Sequence, residues 1–346
     1  MLGLRISRRG LMISVPLVLV AAAWSGWWWL ASTLLDRSLE SWVIAQRTQG
    51  SQIHFGGPQF DGFPWRVHAT LHDVAITQPD GLTWHGPEVA IDAPLWRVNA
   101  LHVHLVGHQE IRLPAGLEPA AISADGAEGW LTLGGIQGFT EARLILSGLD
   151  LAPASAARIE LSASTPAGAV TAATDTGMMV TVAAERIQAP GVGSLALGPA
   201  IESLAATARV MGSPPRLEPA SLSAWTRDGG TLELDTASLH WGPLALGAEG
   251  TLALDHDLQP TGTLTAEVAG FGAAIDALVA AGWVKPKNAQ TAKAVLAGFA
   301  QQPEGAQREA DPTAKIPISL HDRFIHVGPF RLAPLPPVVW QRPAAG

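Results

Sequence analysis

The sequence predicts a mainly β protein: long antiparallel curved sheets, an N-terminal transmembrane helix and a C-terminal helical pair. Three observations carry this. The first 35 residues hold a long charge-free apolar run. The body alternates apolar and polar residues with a period of two. Near the C-terminus the spacing changes to that of helices.

The apolar run covers 10–35, 26 positions without a charge, flanked by Arg5, Arg8 and Arg9 on one side and Asp36 on the other. A helix of about 20 residues crosses a bilayer's hydrocarbon core. A basic flank stays cytoplasmic, so the rest of the chain is expected outside the inner membrane, in the periplasm. Trp24, Trp27, Trp28 and Trp29 cluster at the far end, where indole rings favour the membrane interface. The competing reading is a cleaved signal peptide with a core over 11–20 and a small-residue site at Ala21-Ala22-Ala23. Against it, the apolar run continues well past that site. Residues 36–50 follow as a juxtamembrane helix, with Leu35, Leu39, Trp42 and Val43 at helical spacing and Gly50 as its stop. Its polar face is not basic, which favours packing on the body over lying on the lipid.

From 51 to 346 the chain reads as one β-rich domain. In "LHVHLVGHQEIRL", Leu101, Val103 and Leu105 alternate with His102 and His104, and the alternation runs on to Leu113. Leu244, Leu246, Leu252 and Leu254 continue the pattern, as does Leu264 in the next strand. These eight residues are the candidate apolar groove. Shorter strands are expected over 142–151, 158–163 and 178–184. Gly-Pro pairs at 86–87, 198–199, 242–243 and 328–329 mark strand boundaries or bulges, because Gly frees the backbone and Pro removes a ladder donor. Their echo suggests an internal duplication with a seam near Ser213-Pro214-Pro215. Helices are expected over 273–283 and 288–302. Gly62, Phe63, Pro64 and Trp65 read as a structural turn: Asp61-Gly62 asks for positive φ, and Pro64 makes Phe63 extended.

Composition narrows function. Net charge −8 argues against a nucleic-acid partner, which needs a basic stripe. With no cysteine there is no disulfide, thiolate nucleophile or Cys-ligated metal. Charged residues are 15%, against about 25% in an ordinary soluble domain. Hydrolase, nucleotide-binding and metalloprotease signatures are missing. His102, His104 and His108 share one strand face, and His68 and His72 another, but no neighbouring carboxylate in sequence completes a metal motif. Asp255-His256-Asp257 sits in a turn. No catalytic residue, metal site or cofactor is therefore assigned.

Three stretches carry a resemblance: "SQIHFGGPQFDGFPWRVHATLHDVAI" after the N-terminal helices, then "GTLTAEVAGFGAAIDALVAAGWVKPKNAQTAKAVLAGFA", then "KIPISLHDRFIHVGPFRLAPLPP". Their order resembles the alphaproteobacterial envelope proteins grouped as domain of unknown function 2125, over nearly the whole chain. More loosely, the anchor and repeated small-residue hairpins resemble AsmA-like envelope proteins. That likeness implies lipid movement or envelope homeostasis through a curled, apolar-lined sheet. The expectation is a non-enzymatic, inner-membrane protein whose sheet binds lipid or another apolar envelope ligand. The alternatives are a structural partner in an envelope complex and a periplasmic hydrolase or sugar-binding protein.

Overall fold

The computed structural model describes residues 8–97, 99–114, 121–134, 138–166, 168–188, 197–216, 218–301, 313–327, 330–338 and 340. It is mainly β, with long antiparallel ladders, an N-terminal apolar helix and three shorter helices among the described residues. The chain divides into two units, Met1–Leu133 and Gly134–Gly346. Ser213-Pro214-Pro215 lies inside the second.

The first unit opens with one helix, α1 (Arg8–Thr48). No Gly or Pro separates the apolar run from the amphipathic segment, so the expected division near residue 35 is absent and the helix is continuous. At 1.5 Å per residue its 41 residues extend about 60 Å, twice the thickness of a hydrocarbon core. The end forms as expected: Gly50 takes φ 89°, the Gly50 amide bonds the Arg47 carbonyl and the Ser51 amide bonds that of Gln46.

Among the described residues eight strands follow: β1 (Gln52–His54), β2 (Gln59–Asp61), β3 (Arg66–Thr77), β4 (Thr83–Pro94), β5 (Ala100–Val106), β6 (Gln109–Arg112), β7 (Ala121–Ala124) and β8 (Gly126–Leu133). They build an antiparallel meander in which short strands share an edge. β1 and β2 both pair with β3, and β5 and β6 both pair with β4. β8 and β7 continue outward on β5 and β6. The single strand expected over 101–113 is thus two, broken at Gly107 with φ 81°.

The dry face of this sheet is covered by the second half of α1. Trp28, Ala31, Leu35, Leu39 and Val43 recur at spacings of three and four. Ala31 packs with Val67 and Leu95, and Leu39 packs against Leu71, Val74 and Val89. On β3 the buried residues run Val67, Ala69, Leu71 and then Val74, a change of parity at Asp73, which takes φ 51°. Across the ladder, the pairs His72–Glu88 and Val74–Gly86 bracket this position and Pro87, the irregularity that the Gly86-Pro87 step announces.

The second unit contains β9 (Phe139–Leu151), β10 (Ala154–Ser164), β11 (Thr176–Gln188), β12 (Ile201–Met211), α2 (Pro219–Arg227), β13 (Leu232–Trp241), β14 (Leu244–Leu254), β15 (Pro260–Ala269), α3 (Phe271–Ala280), α4 (Pro286–Gly298), β16 (Ala300–Gln301), β17 (Thr313–His321), β18 (Phe324–Val327) and β19 (Phe330–Pro334). Strands β9 to β15 pair each with the next, all antiparallel. The helical pair then intervenes before β17 returns to β15, followed by β18 and β19. Gly242-Pro243 is the two-residue turn of the β13–β14 hairpin, with Gly242 at φ 53°. Gly328-Pro329 lies outside the described residues. Helix α2 is not announced by the apolar pattern. Asp228-Gly229-Gly230 joins it to β13.

Candidate functional site

The registers of the second unit sort its side chains onto two opposite faces. Leu146, Ile159, Ala184, Leu204, Leu239, Leu246, Val268 and Ala314 lie in one row directly across eight strands. A parallel row runs Ala208, Leu234, Gly250, Leu264 and Ile318. A bulge between Leu234 and Ala237 keeps Leu234 on the apolar face. The opposite face reads Arg209, Glu233, Thr251, Thr263 and Ser319.

One end of the apolar face is filled. Helix α3 packs on β14 and α4 on β17. There Val268, Phe271, Ala314 and Ile316 form a buried cluster, with Leu244, Leu246, Leu296 and Val327 against it. Away from that end the face is only half-buried, and Leu144, Leu161 and Leu204 are each more than a third exposed. Of the eight candidate groove residues, Leu252, Leu254 and Leu264 lie on this open part, and Leu244 and Leu246 under the helical cap. Val103 and Leu105 lie in the first unit, where they pack against Leu71, Val74 and Val89. Leu101 is half-buried on the same strand face.

The polar face carries a pocket of about 590 Å³ lined by Arg209, Glu233, Asp235, Glu249, Thr251, Thr263 and Ser319, among others. Its charges are largely committed. Arg209 makes a two-pronged bond to Asp235 at 2.7–3.0 Å, which holds the Asp235 carboxyl below its usual range and raises Arg209. Glu233 accepts bonds from the Thr231 and Thr251 hydroxyls. The Asp255 carboxylate accepts the amides of Asp257 and Gln259, so the Asp-His-Asp triplet is the turn expected of it.

In the first unit the wet face of the sheet gathers histidines from two strands, with an aspartate from the strand between them. His68, Asp92, His102 and Trp130 are direct cross-strand neighbours, and His104 lies two residues along β5. His68 Nδ1 lies 2.9 Å and Arg66 Nε 3.2 Å from Asp92 Oδ1. His104 Nε2 lies 4.0 Å from Asp92 Oδ2. The Trp130 ring stacks on His102 at 4.5 Å. Burial, followed by the neighbouring His104, pushes the His102 imidazole below the usual 6.5. Asp92 escaped sequence reasoning because it sits on another strand, and only the β4–β5 register brings it to the histidines. His72 and His108 stand apart, paired with Glu88 and Asp125.

The end of the first unit where β3 begins and β4 finishes is aromatic. Gly62 takes φ 90°, as the turn requires, and the Phe63–Pro64 bond is cis. Three of the four clustered tryptophans are tied to this end. The indole N–H of Trp24 donates to the Pro64 carbonyl at 2.7 Å, that of Trp28 to Arg66 at 2.8 Å and that of Trp27 to Leu95 at 3.1 Å. Trp28 meets Phe63 edge-on at 5.9 Å. Trp29 is left exposed, as are Phe63, Trp65 and Trp96 at the loop tips. Ahead of these contacts Leu17 to Val20 are each 63–68% exposed, and the helix is long and apolar enough to cross a membrane.

Fold and surfaces together define a β-sheet protein with an N-terminal helix of membrane-crossing character. The family model for an uncharacterized protein conserved in bacteria, DUF2125, matches residues 27–336, and the chain belongs to that family. Comparison with curated proteins and with solved structures gives no significant match, so the looser likeness to AsmA-like proteins has no support there.

Proposed function

We propose that the protein is anchored in the inner membrane by α1, holds its body in the periplasm, and binds acyl chains or a similar apolar envelope ligand on the open sheet face of the second unit. One observation carries this reading: an apolar face many strands wide, half-exposed away from α3 and α4, on a chain with a helix long and apolar enough to cross a membrane. Exposed apolar surface of this breadth marks an interaction site in a soluble domain. Orientation follows from Arg5, Arg8 and Arg9 ahead of the apolar run. The exposed rings of Phe63, Trp65 and Trp96, beside the bonded Trp24 and Trp27, suit the headgroup layer where α1 leaves the bilayer. Binding here needs no catalyst, and the protein is read as non-enzymatic.

The test is lipid analysis of the full chain purified in mild detergent. Co-purifying acyl lipid is expected at a fixed ratio. It should fall sharply when Leu252→Glu and Leu264→Glu place charge on the open face. A lipid content that these changes leave unaltered overturns the reading. A single stoichiometric protein with no lipid replaces it with the assembly-partner reading.

A further inference from the structure

We infer that Asp92, His102 and His104 form a binding site for a divalent transition metal of the zinc class. Each of the three offers one ligand atom, and these atoms lie within 4.8 Å of one another. In a tetrahedral zinc site with bonds near 2.0–2.1 Å, ligand atoms sit about 3.3 Å apart, so side-chain shifts of about an ångström close the set. Two imidazoles and a carboxylate are borderline-soft and hard donors in the mixture that zinc accepts, with a fourth position left for water.

Three features prepare the site beyond proximity. His68 and Arg66 both engage Asp92 Oδ1 and leave Oδ2 turned to His104. The outer partners therefore orient the ligand carboxylate, as they do around metal sites generally. Thr70 Oγ1 lies 3.2 Å from His68 Nε2 and steadies the second ring. The stacked Trp130 holds the His102 ring at an interplanar angle of 16°, and His102 Nε2 is buried with no hydrogen-bond partner among the described residues. A buried ring nitrogen without a partner costs stability, and a metal ion satisfies it. A merely solvated histidine face explains neither the shared carboxylate nor the orphaned nitrogen. His72–Glu88 and His108–Asp125 are solvated pairs on the same unit, and they gather no third ligand among the described residues.

The test titrates Zn²⁺ into untagged full-length protein, purified in detergent and stripped by chelator, with calorimetric readout. One Zn²⁺ per chain is expected. His102→Ala and His104→Ala abolish it, and His68→Ala weakens it about tenfold or more through the outer partner. His72→Ala and His108→Ala leave it unchanged. Co²⁺ added to the unaltered protein provides a readout that no misfolded variant can confuse: a strong tetrahedral d–d band is expected. No stoichiometric binding, a weak octahedral Co²⁺ spectrum, or Zn²⁺ affinity equal in the His102→Ala and His72→Ala proteins overturns the site.

Discussion

Single residues set the limits of this fold through backbone freedom and paired charge. Gly270 precedes α3 at φ 69°, and a Cβ there would collide with the Pro243 carbonyl. Gly270→Ala is expected to destabilise the second unit by about 2 kcal/mol or more, read by denaturant unfolding, because left-handed strain and a backbone clash act together. Asp235 illustrates charge. Its folded pKa lies below the usual 3.8, chiefly through its bonds to Arg209. The unfolded chain therefore takes up this proton first as the solution is acidified. The stability contributed by the pair is present above pH 3.8 and is lost as pH falls through the lowered folded value. A comparison of thermal midpoints should show Asp235→Asn below the unaltered protein at neutral pH, with the gap closing in acid. A gap independent of pH counts against this assignment.

At the level of elements, α1 does two jobs at once. Residues around 17–20 have no protein cover, whereas 28–43 complete the core of the first unit. A chain beginning at residue 21 is expected to keep the first sheet folded. One beginning at residue 51 is expected to aggregate, because Val67, Leu71, Val74 and Leu95 lose the helix that covers them. Hydrogen exchange over β3 and β4 distinguishes the two. The tryptophans add a finer test. Trp28→Phe keeps an aromatic ring against Phe63 and removes the indole bond to the Arg66 carbonyl, at an expected cost of about 1 kcal/mol for the bond. Equal stability would mean that the bond is replaced by water without loss.

For the whole molecule, the proposed anchor and the half-exposed sheet face make one joint prediction. Native protein should stay in the membrane pellet after alkaline carbonate washing, and added protease should reach the body only when the outer envelope is opened. Release by carbonate would identify a peripheral or cleaved form and remove the anchor from the proposed function. The open and the capped parts of the second unit's apolar face are expected to respond differently to charge. Leu252→Glu and Leu264→Glu should reduce bound lipid while near-native circular dichroism persists, since both sites are half-buried. A charge at buried Ile316 should unfold the capped end instead.

Much of this architecture was legible along the chain. The charge-free run, the period-two alternation of 244–254 and the helical spacing after residue 270 each depend on neighbours a few positions apart, and such local patterns survive without knowledge of the fold. Gly50 and Gly62 were readable because positive φ is a local demand. Other features were not. That α1 runs unbroken and lies on the first sheet, that Val103 and Leu105 face a filled core while Leu252, Leu254 and Leu264 face open space, and that α2 follows β12 all depend on which surfaces meet. Asp92 joins His102 and His104 only through the β4–β5 register. Alternation tells a strand which side is dry. Whether that side is covered, and which distant side chains stand opposite, is decided by long-range pairing, whose partners no stretch of the sequence contains by itself.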